Sequence, residues 1–162
     1  MQAMIQFQKV SIFLLRVGIG WLMFYAGITK VLNPEWSAEG YLRSAKTFNG
    51  FYTWIADSSV LPFINFINEW GLTLIGAALI LGVFVRLSSI AGVLLMVLYY
   101  FPVLEFPYIP GAHAYIIDEH IIYALAFMVL ASVNAGRYFG LENWCSNLPI
   151  CSKYPKLRKW IG

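Results

Sequence analysis

The sequence has little charge for its length. Only 12% of its 162 residues are Asp, Glu, Lys or Arg, whereas a soluble domain carries about 25% charged residues. Hydrophobic residues make up 60% of the chain, and the mean hydropathy is +0.69. This composition excludes an ordinary soluble domain and indicates an integral membrane protein. The net charge of +3 is small, and a nucleic-acid partner, which requires a basic stripe on a soluble face, is not expected.

The sequence is also poor in cysteine and histidine, with two of each. Cys145 and Cys151 are separated by five residues without a nearby histidine, a spacing that fits neither a zinc pattern nor a C-x-x-C redox pair. His113 and His120 alone do not complete a metal site. No phosphate-binding glycine-rich motif or serine nucleophile elbow is present. We therefore expect neither a metal nor a nucleotide cofactor.

Four apolar stretches dominate the chain, and a membrane-spanning helix takes about 20 residues. The predicted spans cover residues 10–32, 61–85, 87–101 and 114–134. Together they use most of the chain and leave no room for a soluble catalytic domain. The sequence therefore predicts a single membrane domain over residues 1–162, an all-α integral membrane four-helix bundle.

The longest connection, residues 33–60, has a helical pattern of its own. Between residues 41 and 56, apolar side chains recur at helical spacing opposite a polar face, which is typical of a helix that lies in the membrane interface. Trp36 and Trp54 fit an aromatic belt. We predict an amphipathic interfacial helix over residues 41–56, lying over one mouth of the bundle as either a lid or a brace.

The distribution of basic residues predicts the orientation. Lys9, Arg86, Arg137 and a basic tail over residues 137–162 share one side of the predicted topology, and positively charged loops favour the cytoplasmic side. Both termini are therefore predicted to be cytoplasmic. Most acidic residues then belong to the outer half, with Glu142 as the only inner acid. The tail carries enough basic residues to contact anionic lipid, although it could equally be solvated.

Ionisable side chains inside the predicted spans are the candidate site residues. Each costs roughly 2.5 to 3.5 kcal/mol in hydrocarbon, so such residues usually face a bundle interior or a wet cavity. Asp118, Glu119 and His120 lie together near the start of the fourth span. On an ideal helix Asp118 is rotated by roughly 200° from His120. Regular geometry therefore does not let all three side chains face one cavity.

Two other charged residues have alternative interpretations. Arg16 shares a helix face with Gly20 and Gly27, which favours the bundle interior, yet it is close enough to the helix start to reach the headgroups. Glu69 is either a partner for Lys30 or reaches the interface. Both alternatives stay open at the level of sequence.

Three segments resemble the DoxX/DoxD family of small four-span membrane proteins. They are LLRVGIGWLMFYAGITKVL, EWGLTLIGAALILGVFVRLSSIAG and DEHIIYALAFMVLASVNAGRYFGL, and the resemblance covers about residues 10–143. The family includes the membrane subunit of thiosulfate:quinone oxidoreductase and components of bacterial membrane oxidoreductase complexes. The resemblance implies the plasma membrane of a bacterium or archaeon. It also implies that a set of motif positions borders one shared interior: Arg16, Gly27, Lys30, Glu69, Gly76, Gly82, Arg86, Asp118 and Glu119.

Two functional hypotheses follow. In the first, the protein is a subunit of a membrane oxidoreductase that handles a quinone-type carrier in a polar pocket on the outer side. Its candidate catalytic residues are Glu69, Asp118, Glu119 and His120, and its candidate ligand-binding residues are Arg16, Lys30 and Tyr123. In the second, the bundle is a non-catalytic module that binds lipid or a partner subunit, and the polar cluster is a structural ion-pair network. Membrane lipids, a redox partner subunit and a second copy of the chain are the expected partners.

Overall fold

Helices form most of the described chain, which comprises residues 2–109 and 114–142 of the computed structural model. Three of them, α1, α4 and α5, are long and apolar enough to cross a membrane. The predicted all-α membrane fold is confirmed. The elements in order are α1 (Gln2–Val31), α2 (Glu39–Arg43), α3 (Asn49–Asp57), α4 (Leu61–Leu81), α5 (Val85–Val103), β1 (Tyr108–Ile109), β2 (Ala114–Tyr115), α6 (Glu119–Ser132) and a 3₁₀ helix (Ala135–Arg137).

The predicted fourth span, residues 114–134, has the wrong bounds. The helix there is α6, with 14 residues, and at 1.5 Å per residue it is about 21 Å long, shorter than a hydrocarbon core of about 30 Å. The chain before it pairs as an antiparallel hairpin between β1 and β2. Asp118 then caps α6, since its carboxylate accepts the backbone N–H groups of His120 and Ile121. This cap starts the helix later than the apolar pattern predicts.

The other predicted boundaries shift for local reasons. Helix α4 ends at Leu81, before the predicted residue 85, because Gly82 adopts a left-handed conformation with φ of 70°. Helix α5 starts at Val85 and continues through Pro102, beyond the predicted end at residue 101. The predicted interfacial helix over residues 41–56 is interrupted and forms two helices, α2 and α3. Phe48, immediately before α3, has a left-handed backbone conformation with φ of 54°, which a continuous α-helix does not allow.

Glycines bring α1 and α4 into backbone contact. A Cβ atom on Gly76 would lie 2.2 Å from the backbone nitrogen of Phe24, and one on Gly27 would lie 2.4 Å from that of Thr73. Small residues allow membrane helices to approach this closely. The expectation that the Gly20 and Gly27 face of the first span points inward is therefore confirmed.

The second helix pair, α5 and α6, packs around an aromatic ring. Phe127 is fully buried, and its ring occupies the space that a side chain at Gly92 would need, 2.6 Å from the position of a Cβ. The two pairs share one apolar core, whose best-buried members include Met23, Leu72, Leu79, Phe127 and Leu130. The four longest described helices thus form a bundle.

A cap formed by α2, α3 and the turn between them, residues 39–57, covers the C-terminal end of α5. Tyr52 donates its hydroxyl to the carbonyl of Leu98 at 3.2 Å, and Tyr41 donates to the carbonyl of Tyr99 at 2.7 Å. The backbone N–H of Lys46 binds the carbonyl of Pro102 at 2.9 Å. The cap is therefore attached to α5 mainly through backbone carbonyls near the end of that helix.

Candidate functional site

Two predicted ligand-binding residues lie far apart. Arg16 and Lys30 are both on α1, but their positions are about 21 Å apart along the helix axis at 1.5 Å per residue. Arg16 and Lys30 therefore do not border one small pocket. The residues form two groups. We call them the Lys30 pocket (Lys30, Trp36, Ser37, Ala38, Tyr41, Asn68, Tyr99 and His120) and the Arg16 cluster (Arg16, Gly82, Gly136, Gly140 and Glu142).

In the Lys30 pocket, neutral groups hold the lysine ammonium. Lys30 Nζ donates to Asn68 Oδ1 at 2.7 Å and to the Tyr99 hydroxyl at 3.2 Å. It also lies 4.7 Å from the ring centroid of Trp36, an attractive cation–π distance. An ammonium has three N–H donors, so these two hydrogen bonds leave one for a ligand. The pocket therefore presents a positive charge with donor capacity to spare.

Asp118 and His120 act as a pair on the rim of this pocket. Asp118 Oδ1 accepts the backbone N–H of His120 at 3.0 Å, while Oδ2 lies 2.6 Å from His120 Nδ1. A carboxylate at Asp118 accepts a hydrogen bond from Nδ1–H of His120. In a neutral ring, Nε2 then carries no proton and is available as a hydrogen-bond acceptor. The rotation of roughly 200° between Asp118 and His120 holds only if both residues are helical. Asp118 is instead the N-cap residue before α6 and has an extended backbone, so its side chain can reach His120.

Five of the predicted site residues do not line the Lys30 pocket: Arg16, Glu69, Asp118, Glu119 and Tyr123. Glu69 is half-buried on α4 and attracts Lys30 electrostatically without a hydrogen bond. Glu119 is exposed, and the Tyr123 hydroxyl donates to it at 3.4 Å. Glu69, Glu119 and Tyr123 thus lie outside the Lys30 pocket.

Six residues of the Lys30 pocket were missed as site residues: Trp36, Ser37, Ala38, Tyr41, Asn68 and Tyr99. Asn68 carried a usable signal, since it belongs with Asn65 and Glu69 to the polar first half of an otherwise apolar predicted span; the structure buries it. Tyr99 carried none, because a tyrosine near a helix end is typical of the membrane interface. Tyr41 lies in the cap, and burial raises its pKa, so its hydroxyl remains a donor at physiological pH.

An apolar cavity adjoins the Lys30 pocket. Each has a volume of about 270 Å³, and ligand pockets typically range from about 300 to 1,000 Å³. They share Ala38, Tyr41, Asn68 and Tyr99. The rest of the cavity comes from the cap, α4 and α5, and includes Phe51, Ile55, Ile67, Leu95 and Leu98. The arrangement suits an amphipathic molecule with a polar head and an apolar tail.

The Arg16 cluster surrounds the middle of α1, since Arg16 is the fifteenth of the 30 residues of that helix. Arg16 is fully buried and donates to the carbonyls of Ala135 at 3.1 Å and Phe139 at 3.3 Å. Of the two interpretations of Arg16, the inward one is correct and the headgroup one is wrong. Gly82 makes room for the guanidinium, since a Cβ there would lie 2.2 Å from Arg16 Nη1. Arg16 thus holds the chain after α6 and does not contribute to the Lys30 pocket.

Some predicted features fall outside the described residues: His113, Cys145, Cys151 and residues 143–162 of the basic tail. Arg86, which the resemblance placed at the interior, is exposed. Within residues 2–109 and 114–142, no group of three or more His, Cys, Asp or Glu side chains is arranged to hold a metal ion.

Comparison with known proteins gives one kind of match. The DoxX family model matches residues 11–104, more than half of the 162 residues. The matched stretch contains Arg16, Lys30, Asn68 and Tyr99 and ends before the Asp118–His120 pair. No curated protein and no solved structure showed a significant match to the chain.

Proposed function

The chain belongs to the DoxX family of membrane proteins, and on that premise we propose that it is a membrane oxidoreductase subunit that binds a quinone-type electron carrier. The head group of the carrier lies in the Lys30 pocket, and its tail lies in the adjoining apolar cavity. One observation carries this proposal. A lysine ammonium held by neutral partners and a histidine–aspartate pair border the same small pocket beside an apolar cavity.

The residues of the pocket fit such a head group. A quinone ring is flat and carries carbonyl oxygens that accept hydrogen bonds. Lys30 Nζ has an N–H to donate to one of them. His120 lies on the same rim, and its Nε2 can donate to a carbonyl oxygen only when the ring is protonated. The indole of Trp36 and the ring of Tyr99 supply flat apolar walls. The apolar cavity excludes water from the tail, which gives binding energy in proportion to the apolar area covered.

A quinone supplies two-electron, two-proton redox chemistry when it is bound. In this proposal, His120 would transfer a proton through Nε2 to an oxygen of the bound head group. General acid–base transfer of this kind requires the two atoms to lie within hydrogen-bond distance. Asp118 holds the imidazole by Nδ1 and stabilises its charged form. In this proposal the electrons come from a redox partner subunit, while this chain supplies the quinone site and the proton path.

A second candidate function is a non-catalytic module that binds an anionic lipid. The hydrogen-bond partners of Lys30 are neutral, so the phosphate of a lipid headgroup would also be attracted, and an acyl chain would fill the cavity. The ion-pair network of the sequence-based alternative does not form around Lys30. In the described part of the chain, Arg43 forms salt bridges with Glu39 and Asp57, and His120 forms one with Asp118.

The test is to purify the full chain from membranes and quantify the quinone and phospholipid that accompany it. We expect quinone in the wild-type protein. The quinone content of a Lys30→Met variant should fall by about tenfold or more, because a hydrogen bond from a charged donor contributes roughly 1.5 to 3 kcal/mol. Lys46→Met is the matched control. Lys46 is exposed, and its hydrogen bond to the Pro102 carbonyl comes from the backbone N–H, which the substitution keeps.

The outcomes separate the two candidates. If wild-type protein carries phospholipid alone, and Lys30→Met but not Lys46→Met lowers that phospholipid, the lipid module is correct. If the two variants retain as much quinone and phospholipid as the wild type, both assignments of the Lys30 pocket are wrong.

A further inference from the structure

Glu142 is a buried carboxyl group that the proposed function does not use. Only 1% of the residue is exposed, and neither carboxyl oxygen has a hydrogen-bond partner within the described residues. The Nε of Arg16 is likewise buried without a partner in that part of the chain. Leaving a buried polar group unpaired costs about 1 to 3 kcal/mol, and more when the group is charged. An ionised Glu142 is therefore costly in this arrangement.

The surroundings of Glu142 are closely packed. A Cβ atom on Gly136 would lie 1.6 Å from Glu142 Oε2 and 3.0 Å from a methyl group of Val85. Two charged groups act on the carboxyl, Arg16 from α1 and Arg137 from the 3₁₀ helix. From α5, Val85 borders the same space and carries no charge. Despite the two guanidinium groups, burial raises the pKa of Glu142 to about 7.

The segment that carries Glu142 is attached to the bundle by apolar and polar contacts, which include the core residue Ala135 and the edge-to-face contact of the Phe139 ring with Phe13. Arg16 binds the carbonyls of Ala135 and Phe139, and the backbone N–H of Leu141 binds the carbonyl of Leu81 at 3.1 Å. Opening this segment would expose the carboxyl to water and remove the cost of its charge. Docking of the segment and protonation of Glu142 are thus coupled by the burial of one side chain.

We propose that Glu142 is a proton-binding site whose occupancy controls the docking of residues 135–142 against the end of the bundle formed by α1 and the α4–α5 turn. The docked segment holds the proton, whereas the opened segment has a carboxyl with an ordinary pKa. Docking is therefore strongest below the pKa of the opened form and weakens as pH rises towards 7. Between the two pKa values the docking equilibrium changes by about tenfold per pH unit.

Amide hydrogen exchange of the full chain in lipid nanodiscs tests this inference. Peptides that cover residues 135–142 are followed from pH 5 to pH 8, with each rate divided by the intrinsic rate at that pH. In wild-type protein we expect protection of Leu141 to fall with rising pH, while protection within α4 stays constant. In Glu142→Gln, a permanently neutral isostere, protection should be independent of pH. Glu35→Gln, at an exposed glutamate, is the matched control and should follow the wild type.

A wild-type protection that does not change with pH would overturn the inference, as would a Glu142→Gln variant that keeps the wild-type dependence. Should Glu142→Gln fail to fold, infrared spectroscopy of the wild-type protein decides the question. The carboxylic-acid C=O band of a buried glutamic acid is expected at pH 6 and should disappear above pH 8. Absence of that band at pH 6 would rule out a protonated Glu142.

Discussion

The Tyr52 hydroxyl donates to the carbonyl oxygen of Leu98 at 3.2 Å, and Pro102 is the reason that this oxygen is available. In an α-helix the carbonyl of residue 98 would accept the N–H of residue 102, but proline has no N–H. Tyr52 is 5% exposed, so its hydroxyl replaces the missing donor away from water. The hydrogen bond that Pro102 removes from α5 is thus replaced by one of the contacts that attach the cap.

We expect Tyr52→Phe to lower the free energy of unfolding by about 0.5 to 1.5 kcal/mol, the net contribution of one hydrogen bond, because the Leu98 carbonyl would lose its donor. Chemical denaturation in one fixed detergent measures this. Tyr25→Phe is the matched control, because Tyr25 is 60% exposed. In a Pro102→Ala background the backbone regains its N–H, and the cost of Tyr52→Phe should shrink. Equal costs in the two backgrounds would show that Tyr52 stabilises the cap by packing alone.

Two glycines on the membrane helices should respond oppositely to alanine. Gly76→Ala places a Cβ 2.2 Å from the backbone nitrogen of Phe24, and a backbone cannot move aside as a flexible side chain can. We expect a loss of several kcal/mol, in the range of overpacked cores, or no folded protein. Gly18→Ala meets nothing within 4 Å and should be neutral or stabilising by up to about 1 kcal/mol. Similar effects at both positions, measured by thermal unfolding, would contradict this contact between α1 and α4.

Asp118 combines two roles that different substitutions separate. Asn is as good an N-cap as Asp, so Asp118→Asn should keep most of the stability of α6 while removing the negative charge beside His120 Nδ1. Asp118→Ala should lose about 1 kcal/mol of stability through the missing cap. Under the proposed function, quinone reduction in membranes slows in both variants, whereas the quinone content of Asp118→Asn stays near wild type. Full activity in Asp118→Asn would remove Asp118 from the proton path.

The sequence predicts the class of this fold better than its boundaries. Low charge and long apolar runs are properties of whole segments, and they identify α1, α4 and α5 as helices able to cross a membrane. Boundaries depend on single residues. Asp118 starts α6 through a side-chain cap, and Gly82 ends α4 through a left-handed backbone; neither event changes the average hydropathy of its segment.

The candidate site was harder to predict than the fold, for a physical reason. Charge density along the sequence identified Lys30, Asp118 and His120, which border or support one pocket. It could not show that the partners of Lys30 are the neutral side chains of Asn68 and Tyr99, because that contact depends on how α1, α4 and α5 pack. Nor could it show that Arg16 binds the carbonyls of a segment more than a hundred residues later in the chain.

Arg16→Lys should loosen the chain after α6 specifically. A guanidinium reaches the carbonyls of Ala135 and Phe139 with two different nitrogens, whereas an ammonium is a compact point charge that cannot reproduce this fork. We expect a loss of about 1 to 3 kcal/mol, the cost of one unpaired buried acceptor. Faster amide exchange should be confined to residues 135–142. Arg43→Lys, at an arginine that is 47% exposed and forms surface ion pairs, is the control and should leave that exchange unchanged. Exchange that rises equally throughout α1, α4 and α5 in Arg16→Lys would instead make Arg16 a general core residue of the bundle.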